Sequence, residues 1–247
     1  MHIAASNETM LLVIKFKLKG ALRFLSHAEM LRVFQRACVR AGISVLYSQG
    51  FNPRPKMSLP LPRPVGVESD DELLCFRILK STRAQKHKNT RDAYDLCTDD
   101  LYSFVEAELS AQLPGGCELL SVSTAGTVRS FQPCSATYLL VVRPEYLNEG
   151  LRTRIERLLA RESLNVQRQI DKKNSKLKTK NSKLKNVDIR GFLKSIKLDD
   201  QGIIVECNIS SAGSIRIEEI LRLLELDEDK LALPIRRTNV QWQADEL

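Results

Sequence analysis

Hydrophobic periodicity along this chain switches between two residues and about 3.6, and it does so in the same order twice. LLVIKFKLK (11–19) alternates apolar and basic residues, the pattern of a half-buried strand. From Ser26 the spacing changes, with Met30, Val33, Phe34, Ala37, Cys38 and Ala41 recurring at three and four residues along one helical face. Ser26 and Glu29 form an S-x-x-E capping box, and Gly42 suits the stop. ISVLY (43–47), ELLCFRIL (72–79) and CELLSVSTA (117–125) are expected strands, with a helix predicted over 93–113 before Pro114 and Gly115. The order is β-α-β-β-α-β, the ferredoxin-like arrangement.

The second half repeats it. SATYLLVVR (135–143), LNVQRQI (164–170), GIIVECNIS (202–210) and PIRRTNVQW (234–242) read as strands, with helices over 145–162 and 216–226. The expected fold class is therefore α+β, built of two tandem ferredoxin-like units, 10–125 and 134–247, after a flexible N-terminus of residues 1–9. Residues 81–92 read as a polar surface insertion. KNSKLK occurs twice between residues 171 and 187, and so many lysines around Leu177 and Leu184 leave no apolar face, so this stretch is expected to be disordered.

Charge narrows the function. The net charge of +8 is concentrated in residues 165–190, with 9 cations against 2 anions, and in residues 21–64, with 7 against 1. Basicity gathered in two zones is the footprint of a polyanion-binding surface, whereas an even excess would argue only for solubility. No run approaches the ~20 apolar residues of a membrane span, and the start MHIAASNETM has no secretory signature, so a cytoplasmic address is expected. The 6 cysteines are scattered singly in or near apolar runs. They read as buried thiols, with no metal, iron–sulfur cluster or other cofactor expected.

Candidate binding residues lie in the first unit. Arg32, Arg36 and Arg40, four residues apart, stack opposite the apolar face of the first helix, whose positive end lies near Arg23 and His27. The loop SQGFNPRPKMS (48–58) follows. Gly50 permits a sharp bend, Asn52 starts a turn, and Pro53 and Pro55 preset the backbone beside Arg54 and Lys56. Gln49 and Ser58 add polar groups, while Tyr47 and Phe51 are placed to stack on bases. Phe51 also reads as a core plug. His27, taken to be surrounded by Arg23, Arg54, Lys56 and Tyr47, is the candidate general base of a metal-independent RNA cleavage. No H-E-x-x-H, P-loop, G-x-S-x-G or paired-cysteine motif is present to support other enzyme classes.

Three stretches carry a resemblance. KGALRFLSHAEMLRVFQRACVRAGISVLYSQGFNPRPKMSLPLPRPVGVESDDELL, VDIRGFLKSIKLDDQGIIVECNISSAGSIRIEEILRLL and LPIRRTNVQW resemble the radical-SAM-linked domain family, a bacterial domain of unknown function encoded beside, or fused to, a radical SAM protein. The matching positions include Arg23, Phe24, Ser26, His27 and Arg32, then Tyr47 to Pro53, Pro55, Lys56 and Ser58. Later matches are Asp188, Ile189, Arg190, Gly213, Ser214, Arg237 and Thr238, the last two counted with the candidate nucleic-acid-binding residues. The resemblance implies a radical SAM partner and no established catalytic residue. Arg54 stands where the family often carries a histidine-like position. The function expected from these readings is that of an RNA-binding accessory factor presenting substrate to the radical SAM enzyme that the resemblance implies. An endoribonuclease using His27, or a protein-interaction module without nucleic acid, are the alternatives.

Overall fold

One face of the first strand is apolar along its length and the other over Leu11 and Val13, and the two are buried by different partners. In the computed structural model, which describes residues 9–79, 98–126, 128–170, 183–199 and 202–246, the opening elements are β1 (Thr9–Leu18), α1 (His27–Arg40), β2 (Met57–Ser58), β3 (Glu68–Leu79), α2 (Thr98–Ser110), β4 (Cys117–Ala125) and β5 (Val128–Leu140). They are followed by α3 (Glu149–Ala160), β6 (Asn165–Ile170), β7 (Lys183–Asp188), β8 (Leu193–Asp199), β9 (Gly202–Ser210), β10 (Gly213–Ser214), α4 (Ile217–Leu224) and β11 (Arg236–Glu246). The fold is α+β, with mixed β-sheet and, among the described residues, four α-helices. The chain forms two units: residues 1–133 with 236–247, and residues 134–235.

In the first unit β1 lies between β3 and β4, antiparallel to both, and β2 pairs with β3. The order β4-β1-β3 is continued on the far edge of β3 by β2, at Cys75 and Phe76, and by β11, at Glu68 and Ser69. Leu12, Ile14, Phe16 and Leu18 of β1 face Met30, Phe34, Ala37 and Cys38 of α1, and Leu101, Val105 and Leu109 of α2. Phe16 meets Phe34 edge-on at 4.8 Å. The capping box forms as expected, with the Glu29 amide donating to Ser26 Oγ and the Ser26 amide to Glu29 Oε2 at 2.8 Å. On the other face Leu11, Val13, Leu73 and Cys75 are covered by Phe131 and Trp242.

The sequence placed a strand at 43–47, and none forms there. Gly42 turns the chain with φ +69°, Ile43 is buried with its amide on the Cys38 carbonyl, and residue 47 makes one isolated bridge. The edge of β3 is taken instead by Met57 and Ser58. Pro60, Pro62 and Pro64 then lack the N–H groups that would lengthen that strand.

A second correction concerns residues 234–242, read as the closing strand of the second unit. Residues 236–242 belong to β11, which groups with the first unit and runs parallel to β3 at Arg236 and Arg237, while 234 and 235 stay with the second. β5 also begins earlier than the predicted residue 135, at Val128.

In the second unit, β9 pairs antiparallel with β5 and with β8. β8 went unrecognised in the sequence, and the strand read at 164–170 pairs instead with β7 in a separate two-stranded ribbon. Lys183–Val187, expected to be disordered, lie in β7. The rest of the lysine-rich stretch, residues 171–182, lies outside the described residues, as do residues 1–8, the polar insertion at 81–92 and the first five residues of the helix predicted over 93–113.

The motif positions Asp188 and Arg190 organise backbone here. One Asp188 oxygen accepts from the amides of Arg190 and Leu164, at 2.9 and 2.8 Å. The Arg190 guanidinium donates to the carbonyls of Leu159, Arg161 and Leu193, closing the C-terminal end of α3. Arg168 grips Glu219 with two 2.7 Å bonds and also donates to the Ser214 carbonyl.

Candidate functional site

The loop after α1 is closed at its base by hydrogen bonds and leaves its tip free. The Ser48 amide donates to the Arg54 carbonyl at 2.8 Å, the Arg54 amide returns to Ser48 Oγ at 2.9 Å, and a bridge joins Tyr47 to Pro55. Below it, the Leu46 amide donates to the Arg77 carbonyl and the Arg77 amide to the Lys56 carbonyl, which fixes the loop to β3. Gly50 takes φ +128° with open space around it, so it serves the turn rather than a close approach. With its backbone so tied, the loop holds Phe51 wholly in solvent, and Tyr47, Gln49, Asn52, Arg54 and Lys56 exposed. Phe51 is therefore no core plug.

Beside this loop, on the sheet face away from α1, lies a groove of about 480 Å³. Lys56, Arg77 and Arg129 bring three cations to it, Ser58, Ser130 and Gln132 add polar groups, and Leu11, Met57, Cys75 and Phe131 supply an apolar surface. No carboxylate lines it. Several other cations of the first unit are paired with acids: Lys15 lies 3.6 Å from Asp71, Lys17 3.6 Å from Glu118, and Lys19 and Arg236 lie 3.5 and 3.2 Å from Asp70. The groove thus collects positive charge with no acid of its own, which favours an anionic ligand there.

The sequence-predicted residues do not gather at one place. His27 sits in a small pocket with Ser26, Phe16, Leu18, Arg63 and Glu72, whereas the loop contacts the end of the sheet near Leu11 and Arg77. Phe16 opposes Glu72 and Leu11 opposes Arg77. Five residues of strand therefore separate the two places, roughly 16 Å at ~3.3 Å per residue. The expected surrounding of His27 by Arg54, Lys56 and Tyr47 is not present. The stripe on α1 divides too. Arg40 donates to the Gln112 side chain and carbonyl at 3.1 and 2.8 Å, while Arg32 and Arg36 are exposed. Arg23 donates to the Gly20 carbonyl at 3.0 Å and lies over the Phe24 ring at 4.3 Å.

Arg237 is the clearest departure. Counted among the nucleic-acid contacts, it is fully buried, paired with Glu72, and unable to reach a ligand; Thr238, beside it, is half-buried. Arg63, which sequence reasoning passed over, lies close to the same pair. Its guanidinium donates to the carbonyls of Leu22, Arg23, Leu25, Pro64 and Val67, pinning the turn before α1 to the proline-rich segment. Burial pulls its pKa down, Glu72 opposes that shift, and Arg237 adds to it.

Arg77, Arg129 and Phe131 also went unremarked. Arg77 was legible as the one charge inside the apolar run ELLCFRIL after its opening glutamate. Arg129 and Phe131 lay in what reads as a linker. Among the described residues no cluster of three or more histidine, cysteine or acidic side chains is placed to hold a metal ion. Burial pushes the thiols of Cys38, Cys75, Cys117 and Cys207 up to about 12, so they are protonated and unreactive at neutral pH; Cys97 lies outside the described residues. No described helix is long and apolar enough to cross a membrane.

Residues 12–94, about a third of the chain, match the model of a family described as an uncharacterized protein conserved in bacteria (DUF2344). No curated protein matches. Among solved structures, the small subunit of acetolactate synthase from Thermotoga maritima is similar at 10% identity over 96% of this chain and 98% of that one, with a TM-score of 0.21. At that score the likeness carries no argument.

Proposed function

We propose that this chain is a nucleic-acid-binding accessory factor whose first unit holds RNA for a radical SAM enzyme to act upon. The observation that carries the binding reading is the carboxylate-free groove at Lys56, Arg77 and Arg129, bordered by a tied loop that offers Arg54 and two exposed aromatics. A loop backbone already tied meets phosphates with little loss of loop entropy, and exposed rings accept bases of any sequence. The radical SAM partnership rests on the resemblance of the RFLSH and YSQGFNPRPK stretches, and a cytoplasmic address belongs with it. In the same reading the first unit is ferredoxin-like, supported by its β4-β1-β3 order with the short β2 on the far edge of β3, and the second is a reduced relative of it. The nuclease alternative loses its support, because His27 is held apart from the loop cations.

The test is RNA binding by the purified protein across a salt series, wild type against Arg54→Ala/Lys56→Ala. Each phosphate neutralised on a single strand contributes ~0.7 to the slope of log affinity against log salt, so the double variant should lose about 1.4 of that slope. Salt-insensitive or absent binding would refute the nucleic-acid reading and leave the loop as a protein dock.

A further inference from the structure

The groove carries more than charge, and its second property selects among nucleic acids. At about 480 Å³ it falls within the ~300–1,000 Å³ typical of small-molecule sites. It has two chemically distinct sides: Lys56, Arg77 and Arg129 for an anion, and Met57 and Phe131 for a flat apolar group. Phe131 packs against the buried cluster of Leu11, Val13, Leu73 and Cys75, which restrains its ring, and Leu11 and Cys75 line the groove beside it. Arg77 donates to the Arg129 carbonyl at 3.5 Å, tying the strand that carries Phe131 to the strand that carries the cation. A duplex presents phosphates outward and keeps its base faces stacked inside, so it would satisfy the cations and leave the apolar side bare.

From this we infer that the groove takes one unpaired nucleotide of a strand, its phosphate among the three cations and its base against Phe131. The inference rests on the nucleic-acid reading above and narrows it to single-stranded or extruded positions.

The experiment compares a single-stranded RNA oligonucleotide of mixed sequence with the blunt duplex of the same sequence, at one fixed salt concentration, by fluorescence anisotropy. Wild type should bind the single strand at least about fivefold more tightly, the low end of what stacking one base on an aromatic ring contributes. Phe131→Leu keeps the apolar packing and removes the ring, so it should lose that preference while duplex affinity stays unchanged. Arg129→Ala should weaken both ligands. Adenosine monophosphate should compete with the single strand for wild type and much less for either variant. Equal binding of the two ligands by wild type, with Phe131→Leu neutral, would overturn the nucleotide site while leaving nucleic-acid binding intact. No salt-dependent binding to either ligand would overturn both.

Discussion

Replacing Arg237 by methionine should destabilise the first unit by about 3 kcal/mol. The guanidinium is fully buried and paired with Glu72, whose side chain is itself 5% exposed. Removing one partner of a buried ion pair strands the other charge without water and costs ~3–5 kcal/mol. The low end applies, because Arg63 remains near enough to act on Glu72 and compensates in part. Methionine fills much of the arginine volume, which keeps any cavity small. Unfolding in urea followed by fluorescence suits the assay: Trp242 is the single tryptophan, lies on the same strand β11, and packs on the first unit's second core. With a slope of ~2 kcal/mol per molar urea the midpoint should fall by about 1.5 M, and melting by roughly 6–12 °C. The double variant Glu72→Leu/Arg237→Met, which removes both charges, should recover at least about 2 kcal/mol. A single variant as stable as wild type, or a double variant no better than the single, would show that Glu72 is not stranded and refute the reasoning.

Gly202 has φ +136°, and a Cβ there would lie 2.3 Å from the Leu140 carbonyl oxygen, so Gly202→Ala should cost the second unit roughly 3 kcal/mol, read as a lowered thermal midpoint. The amides of Arg190 and then Leu164 hold the Asp188 carboxyl below its usual range, and a folded pKa lower than the unfolded one adds stability above the unfolded value that is lost as pH falls through the folded value. Wild type should therefore lose stability on acidification below about pH 4 more steeply than Asp188→Asn, in melts taken from pH 6 to pH 2.5; parallel pH profiles would contradict this.

Legibility in the sequence followed how each element earns its place. β1, α1, β3 and β4 are read correctly because apolar periodicity positions them against one core, and the Ser26–Glu29 box marks the helix start. β7 escapes such reading. Leu184 is exposed and Val187 only half-buried, so the strand is held by backbone pairing with β6 and by Asp188, neither of which leaves a hydrophobic pattern. The fate of Arg237 was partly visible, since Ile235 and Arg237 are two residues apart in an extended segment and share its inner side. Charge alone argued for the surface, and the partner that overrides it is 165 positions away. At the groove, Lys56 and Ser58 were anticipated. Arg77 comes from β3 and Arg129 and Phe131 from β5, two strands with β11 between them in the sheet, so no local sequence pattern groups them.

The same separation has a consequence for synthesis. Glu72 leaves the ribosome with the body of the first unit, but the guanidinium that neutralises it is translated 165 residues later. At ~5–20 residues per second, that interval is about 8–33 s. Throughout it the first unit lacks both that guanidinium and the strand that covers Leu73 and Cys75 through Trp242. The second unit must be made in full before the first can close. The order of completion is therefore the reverse of the order of synthesis, and the final strand acts as the latch of the unit that was begun first.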